Sequence, residues 1–193
     1  FHSGATEGIS TFFYLKPTDV MAYFVSDHPA VHAAAQIHQK KGGTIIELPI
    51  LETGFYDEET VLKHLWAFKD KELYLNYTYV HNETGCVWSL EAAKALKDKL
   101  NCYIHVDSAQ VVGKISKWNS LDSSLDFYTF SAHKFGGLKG VGFSIVNRSF
   151  PFRPLVPGGG QQHGLRGGTL NTLGIITTAK AIEDTLSKQN IKL

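Results

Sequence analysis

Residues 20–50 read VMAYFVSDHPAVHAAAQIHQKKGGTIIELPI, and this stretch decides the fold class. Residues 20–25 and 44–50 are apolar runs of strand length bounded by polar or glycine residues, which predicts two β-strands. Residues 29–41 between them are rich in alanine, open with a proline and are followed by two glycines, the usual start and stop signals of a helix. A strand, a helix and a second strand in this order indicate a βαβ unit with parallel strands.

The same alternation continues outward from this unit. Further strands are predicted at residues 72–79, 102–106, 127–130 and 141–146, and further helices at residues 58–69, 90–100 and 172–188. We therefore expect an α/β fold with a mainly parallel sheet flanked by helices on both faces. Residues 147–168, rich in proline and glycine, interrupt the alternation and predict a loop with a functional role.

Composition excludes several classes of protein. The chain has 193 residues, 43% of them hydrophobic and 19% charged, which argues for a packed core and against intrinsic disorder. A formal net charge of +1 predicts no basic surface for a nucleic acid, and no apolar run approaches the roughly 20 residues of a membrane span. The two cysteines, Cys86 and Cys102, form no CxxC pair, and no metal site is expected. These observations favour a cytoplasmic enzyme domain.

Polar side chains follow four of the predicted strands at the point where each strand ends. In chain order they are residues 26–28 (SDH), 81–83 (HNE), 107–110 (DSAQ) and 131–134 (SAHK). Ligands of open α/β sheets bind beyond the carboxyl ends of the strands. Each group alone is most simply a helix cap or a surface residue, but their convergence on one edge of the sheet predicts a functional site.

Lys134 is the most informative of these residues. A lysine amine does chemistry as a Schiff base with a carbonyl, and the commonest such cofactor is pyridoxal phosphate. That cofactor also needs a carboxylate at its pyridine nitrogen, a flat group against its ring and a helix N-terminus at its phosphate. Asp107, His28 and residues 4–6 (GAT) could supply these in turn, and no GxGxxG or P-loop motif competes with them.

Four segments, in this order along the chain, resemble the class V aminotransferase family. They are residues 3–7 (SGATE), 105–110 (HVDSAQ), 131–142 (SAHKFGGLKGVG) and 158–169 (GGGQQHGLRGGT). The last is similar to the arginine-containing turn of the cysteine desulfurases of the nitrogenase and iron–sulfur assembly type. The resemblance implies fold type I of the pyridoxal-phosphate enzymes, with residues 1–193 as the large, cofactor-binding domain.

The resemblance also implies a role for each residue around the ring of the cofactor. Lys134 would form the internal aldimine, and Asp107 would pair with the pyridine nitrogen. Gln110 would hydrogen-bond the phenolic oxygen, and His28 would stack on the ring and move protons. Asn82 would lie near the ring and the carboxylate of the substrate.

A second group of residues is implied in binding the phosphate. Ala5 and Thr6 would meet it through backbone and hydroxyl donors, joined by Ser131 and His133. Thr169 would reach the phosphate of the partner subunit, so the resemblance implies a homodimer as the active form.

The chain departs from the family pattern at several positions. Leu138 stands where the family usually has proline, Gln162 and His163 replace a Glu-Arg pair, and Gly167 replaces a serine. The first change alters the stiffness of a turn, and the others concern contacts to the phosphate or between subunits.

The nucleophilic cysteine of the family lies on a loop after the segment 158–169. Neither Cys86 nor Cys102 fits that place, so both are expected to be structural. Because the chain opens without a methionine and ends at Leu193, we expect a fragment that lacks the small domain and the catalytic thiol.

The resemblance implies an enzyme that removes sulfur from L-cysteine and leaves alanine, with a sulfur-acceptor protein as a further partner. Other reactions on the same scaffold stay open, namely those of a selenocysteine lyase, a transaminase or a racemase. A non-catalytic scaffold domain is the remaining alternative. The presence of Lys134, Asp107 and His28 argues against it, because a scaffold has no need of them.

Overall fold

Six strands form one sheet in a computed structural model that describes residues 1–190. The strands are β1 (Val20–Phe24), β2 (Thr44–Leu48), β3 (Leu73–Thr78), β4 (Tyr103–Asp107), β5 (Phe127–Ser131) and β6 (Gly142–Val146). Their order in the sheet is β2-β1-β3-β4-β5-β6. Every neighbouring pair is parallel except β5 and β6, which are antiparallel. The predicted mainly parallel sheet is therefore confirmed, and the last three residues of the expected 1–193 domain lie outside the described residues.

Across residues 1–190, five α-helices accompany the sheet: α1 (Ala5–Phe12), α2 (Pro29–Lys40), α3 (Glu58–Leu65), α4 (Leu90–Leu100) and α5 (Thr172–Asn190). Side-chain caps begin several of them; at α3 Asp57 accepts a hydrogen bond from the Thr60 amide at 2.8 Å, and at α4 Ser89 accepts one from the Ala92 amide at 3.3 Å. Helix α4 ends at Asn101 in the left-handed conformation.

Three predicted features need correction. The helix predicted at residues 58–69 is α-helical only to Leu65 and continues as the 3₁₀ turn Trp66–Phe68. The sequence indicates a helix N-terminus at residues 4–6 but not the extent of helix α1, and the loop at 147–168 contains the short turn Gln161–Gly164, in which Gln162 and His163 have positive φ. The boundaries of the other predicted elements differ from the observed ones by at most two residues.

Helices cover both faces of the sheet, as the sequence predicts. The central strands β1, β3 and β5 have every residue buried, which is typical of a sheet covered on both sides. Helices α1 and α2 pack on one face in a cluster that includes Phe12, Val31, Met21, Tyr74 and Phe127. Helices α3 and α4 pack on the other in a cluster that includes Leu65, Leu96, Leu75, Ile104 and Trp88.

The strand order determines where a site can form. Strands β1, β3, β4 and β5 are consecutive neighbours and parallel, so their carboxyl ends meet at one edge. The polar residues that follow these four strands in the sequence therefore come together there. Within the described part of the chain, no helix has both the length and the apolar composition that crossing a bilayer requires.

Candidate active site

A cavity of about 520 Å³ lies at this edge of the sheet. Nine of the ten residues predicted for the site line it: Ala5, Thr6, His28, Asn82, Asp107, Gln110, Ser131, His133 and Lys134. The tenth, Thr169, is exposed and is not part of the lining. Its predicted contact with a partner subunit stays a prediction.

The N-terminus of α1 forms one wall of the cavity. The residue before the helix, Gly4, provides no side-chain cap for the first turn, and Ala5 and Thr6 face the cavity. Unpaired N–H groups and the helix dipole favour an anion at such a place. Two hydrogen bonds hold the segment, since the amides of His2 and Gly142 each donate to the other's carbonyl, at 2.9 and 2.8 Å.

Asp107 forms the floor of the cavity at the end of β4. The residue is 7% exposed, and its carboxyl accepts a hydrogen bond from the Ala109 amide at 3.0 Å. Burial raises the pKa of Asp107, while that hydrogen bond and the nearby His28 lower it. A buried carboxylate in this position suits a ligand that presents a cationic N–H group.

Lys134 lies on the 3₁₀ turn Ala132–Phe135, directly after β5, and lines the cavity. The turn ends at Gly136, whose φ of +99° favours glycine. Beside it the His133 ring and the Ser131 hydroxyl are hydrogen-bonded at 3.0 Å. Burial lowers the pKa of His133, and Lys134, Lys139 and Lys114 lower it further, so several positive charges surround this side of the cavity.

His28 caps helix α2 and faces the cavity. Its Nδ1 accepts a hydrogen bond from the Ala30 amide at 3.1 Å, so the neutral ring carries its proton on Nε2 and can donate there. Gln110 also lines the cavity, and its side-chain oxygen accepts a hydrogen bond from the Lys114 ammonium group.

Asn82 is held in place by the histidine before it. The His81 ring is buried, donates from Nε2 to the Ser26 carbonyl at 2.7 Å, and accepts at Nδ1 from the amides of Glu83 and Thr84 at 3.2 Å each. His81 thus ties the turn that carries Asn82 to the end of β1. The position of His81 directly after a strand reflects this structural role.

Sequence reasoning missed several residues of the cavity. Thr78 and Lys139 contribute polar groups to the lining, and Ile9 and Val80 contribute apolar surface. The buried Asp27 hydrogen-bonds Thr78 from below, with 2.7 Å between Thr78 Oγ1 and Asp27 Oδ1. The sequence places Thr78 near the end of the predicted strand 72–79, but only the register of β3 and β4 in the structure pairs it with Asp107.

The segment 158–169 is tied to α1 by an ion pair. Arg166 donates from Nε to Glu7 Oε1 at 2.9 Å and from Nη2 to Glu7 Oε2 at 3.3 Å. The Ser3 amide donates to the same carboxylate at 2.9 Å. The pair links the loop to the first turn of α1, the turn that lines the cavity.

The two cysteines lie away from the cavity lining. Cys102 is buried, and burial raises the pKa of its thiol to about 12. Cys86 is half-buried, and its Sγ lies 3.4 Å from the Thr53 carbonyl oxygen. Both positions agree with a structural role. Among the described residues, no cluster of three or more His, Cys, Asp or Glu side chains could hold a metal ion.

Comparisons with known proteins relate the whole chain to one family. The family model for class-V aminotransferases matches residues 1–192. Cysteine desulfurase IscS of Clostridium botulinum is 32% identical over 170 residues, which cover 86% of this chain and 42% of that protein.

Two solved structures have the same fold. A NifS-like protein superposes with a TM-score of 0.84 at 28% identity, over 97% of this chain and 52% of the other. The structure of SspA in complex with cysteine superposes with a TM-score of 0.80 at 25% identity, over 94% of this chain and 54% of the other. The chain thus spans about half, or less, of the length of these proteins.

Proposed function

The chain belongs to the class V aminotransferase family, and we propose that it carries the pyridoxal phosphate site of a cysteine desulfurase. The observation that carries the proposal is the meeting of three groups in one cavity. Lys134, the buried carboxyl of Asp107 and the first turn of α1 all line it. Cysteine desulfurases among the relatives support the reaction type.

The residues of the cavity fit this cofactor. A volume of about 520 Å³ lies in the usual range of small-molecule sites. The uncapped first turn of α1 and the nearby Ser131 and His133 suit a phosphate dianion. Asp107 offers a buried carboxylate for a ring nitrogen, and Lys134 offers an amine for an aldehyde.

Each residue then has a task defined by its own atoms. When bound, pyridoxal phosphate withdraws electrons from the α-carbon of an amino acid. Asp107 would favour a protonated ring nitrogen, Gln110 would donate to the ring oxygen, and Lys134 Nζ would hold the cofactor. Because Nδ1 of His28 accepts a hydrogen bond from the Ala30 amide, Nε2 carries the proton of the neutral ring. His28 would therefore donate a proton at Nε2 and would accept one only at Nδ1, once that hydrogen bond is released.

The substrate and partners follow from the proposed reaction. We propose L-cysteine as substrate, alanine as product, and a thiol outside residues 1–193 as the group that takes the sulfur. A sulfur-acceptor protein would continue the transfer toward iron–sulfur cluster assembly. We also propose that residues 1–193 form the cofactor-binding large domain, and that Thr169 reaches the phosphate site of the partner in a cytoplasmic homodimer.

The test is to trap the cofactor on its lysine. The protein is incubated with pyridoxal phosphate, reduced with borohydride and digested, and the labelled lysine is identified by mass spectrometry. We expect the label on Lys134, and none in Lys134→Ala. The matched control is Lys139→Ala, which changes another lysine of the same cavity and should leave the label on Lys134.

Two outcomes would contradict the proposal. Equal labelling of Lys134→Ala and the unaltered protein would show that the cofactor reacts with surface lysines only, as expected of a non-catalytic scaffold.

In the whole protein, release of sulfur and alanine from L-cysteine distinguishes a desulfurase from a transaminase, a racemase or a selenocysteine lyase. Failure to release them after correct labelling would refute the reaction and leave the cofactor site intact.

A further inference from the structure

A row of polar side chains crosses the sheet directly beneath the cavity. It joins four strands and the segment before α1, and its members are Asn76, His105, Thr129, Ser144 and His2. Asn76, His105 and Thr129 have no exposed surface at all. Buried polar groups of this kind persist in a core only when hydrogen bonds satisfy them, and a satisfied network specifies one arrangement.

The donor and the acceptor of each hydrogen bond at His105 can be assigned. His105 Nδ1 lies 2.7 Å from the Asn76 Oδ1 oxygen, which can only accept, so Nδ1 carries the proton. His105 Nε2 must then accept from the Thr129 hydroxyl at 2.8 Å. Burial lowers the pKa of His105 to about 3, so the ring stays neutral in this single tautomer.

The tautomer of His105 orients the Asn76 amide. With its oxygen turned to His105, the Nδ2 group of Asn76 is buried and makes no hydrogen bond of normal geometry in the described part of the chain. Yet the Asn76 side chain lies beside Asp27 and lowers the pKa of that carboxyl. The row therefore ends with an N–H donor next to a buried carboxylate.

Asp27 itself is anchored on two further sides. Its Oδ2 accepts from the Phe24 amide at 2.8 Å, and its Oδ1 accepts from the Thr78 hydroxyl at 2.7 Å. Thr78 lines the cavity and pairs in register with Asp107. Because Thr78 gives its only proton to Asp27, its oxygen can only accept from the cavity side.

We propose that Asp27 is a second acidic group of the site, which acts on the cofactor through Thr78 and through its charge on Asp107. His105 and Asn76 are positioning residues for Asp27. The inference rests on the proposed cofactor site. Two neighbouring carboxylates hold a protonated ring nitrogen more strongly than one, because each negative charge favours the cation.

The groups around Asp27 agree with this role. Asp107 on β4 raises the pKa of Asp27, after the larger effect of burial, which brings the value to about 6. The charge of Asp27 contributes in turn to a raised pKa of Tyr23 on β1, behind the larger effects of burial and Glu47. His28, the next residue, lowers the pKa of Asp107, and the buried His81 ring donates to the Ser26 carbonyl on the other side of Asp27 in the chain.

The test follows the aspartate carboxyls of the cofactor-free protein by carbon-13 NMR as the pH is raised. In the unaltered protein we expect Asp27 to titrate near pH 6, and the Asp107 signal to show a second inflection at the same pH. In Asp27→Asn that inflection should disappear. An Asp107 signal with one inflection, unchanged by Asp27→Asn, would overturn the proposal.

A pair of variants at His105 tests the positioning role. His105→Phe keeps a flat ring but cannot orient Asn76, so the midpoint of Asp27 should rise. His105→Gln can still donate to Asn76 and accept from Thr129, so it should restore the midpoint of the unaltered protein. Equal Asp27 midpoints in all three proteins would show that the row packs the core without positioning Asp27.

A spectroscopic titration separates this inference from the proposed function. With pyridoxal phosphate added, Asp27→Asn should lower the midpoint of the visible absorption band by on the order of one pH unit. An unchanged midpoint would overturn the action of Asp27 on the cofactor. If no cofactor attaches to Lys134 in the unaltered protein, the proposed function fails, whereas the coupling of the two carboxyls is still decided by NMR.

Discussion

Replacing Glu7 by glutamine breaks the contact that ties residues 158–169 to the first turn of α1. The carboxylate accepts two hydrogen bonds from Arg166 and one from the Ser3 amide. Burial alone would raise its pKa, but the bonds from Arg166 and Ser3 outweigh burial and lower the pKa from 4.5 to about 2. The ionised form is thus favoured in the folded protein.

The pKa shift sets the size of the effect. A difference of about 2.5 pH units corresponds to roughly 3 kcal/mol at most. The Arg166 and Glu7 side chains are 31% and 12% exposed, and water screens such a pair, so about 1–2 kcal/mol is the realistic loss. Because the pKa is lowered, the stabilisation is complete above pH 4.5 and disappears as the pH falls toward 2.

Urea unfolding of the unaltered protein and Glu7→Gln at pH 7 and pH 3 measures this dependence. We expect a gap of about 1–2 kcal/mol at pH 7 that shrinks to less than half at pH 3. Glu59→Gln is the matched control, since Glu59 is an exposed acid in the first turn of α3. A gap of the same size at both pH values, or an equal gap in the control, would refute the ion-pair argument.

Three further predictions concern other parts of the molecule. Burial raises the pKa of Asp27 from 3.8 to about 6, so the unaltered protein should lose up to about 3 kcal/mol relative to Asp27→Asn between pH 4 and pH 8 in thermal melts; a constant gap would contradict this. Gly8→Ala places a Cβ 2.6 Å from Thr129 Cγ2, so α1 should shift and pyridoxal phosphate should bind several-fold more weakly in a spectroscopic titration, and unchanged affinity would contradict it. Trp88→Ala empties a site that is 1% exposed and should cost about 3–5 kcal/mol in urea unfolding; a loss below about 1 kcal/mol would count against the packing of this cluster.

The sheet and its functional edge could be predicted from the sequence because both depend on local patterns. Strand and helix signals alternate clearly, and parallel strands place their carboxyl ends together. The residues after four strands therefore came together as predicted, with Asp107 and Lys134 in one cavity. Of the ten predicted site residues, Thr169 alone lies outside the cavity lining. The resemblance assigns this residue to the phosphate of a partner subunit.

Beyond its N-terminus at residues 4–6, helix α1 could not be predicted because its own sequence is a poor helix former. The segment ATEGISTF contains a glycine and β-branched residues and has no side-chain N-cap. The helix forms because Ile9 and Phe12, each 1% exposed, pack on the sheet. This packing depends on contacts distant in sequence, which no local pattern reports.

The buried polar groups were missed for a related reason. Asp27 and Thr78 are 51 residues apart in the chain, and their hydrogen bond exists only once β1 and β3 pair. His105 lies within the quoted HVDSAQ segment, yet its partners Asn76 and Thr129 are on neighbouring strands. A single sequence gives the residue types, and the register of the strands gives the network.

The most direct test of the central claim is a crystal structure of the borohydride-reduced protein with pyridoxal phosphate. We predict a covalent bond from Lys134 Nζ to the cofactor, with the Asp107 carboxylate within hydrogen-bonding distance of the pyridine nitrogen and the phosphate at the first turn of α1. A cofactor attached to a different lysine, or one whose ring nitrogen lies away from Asp107, would contradict the account.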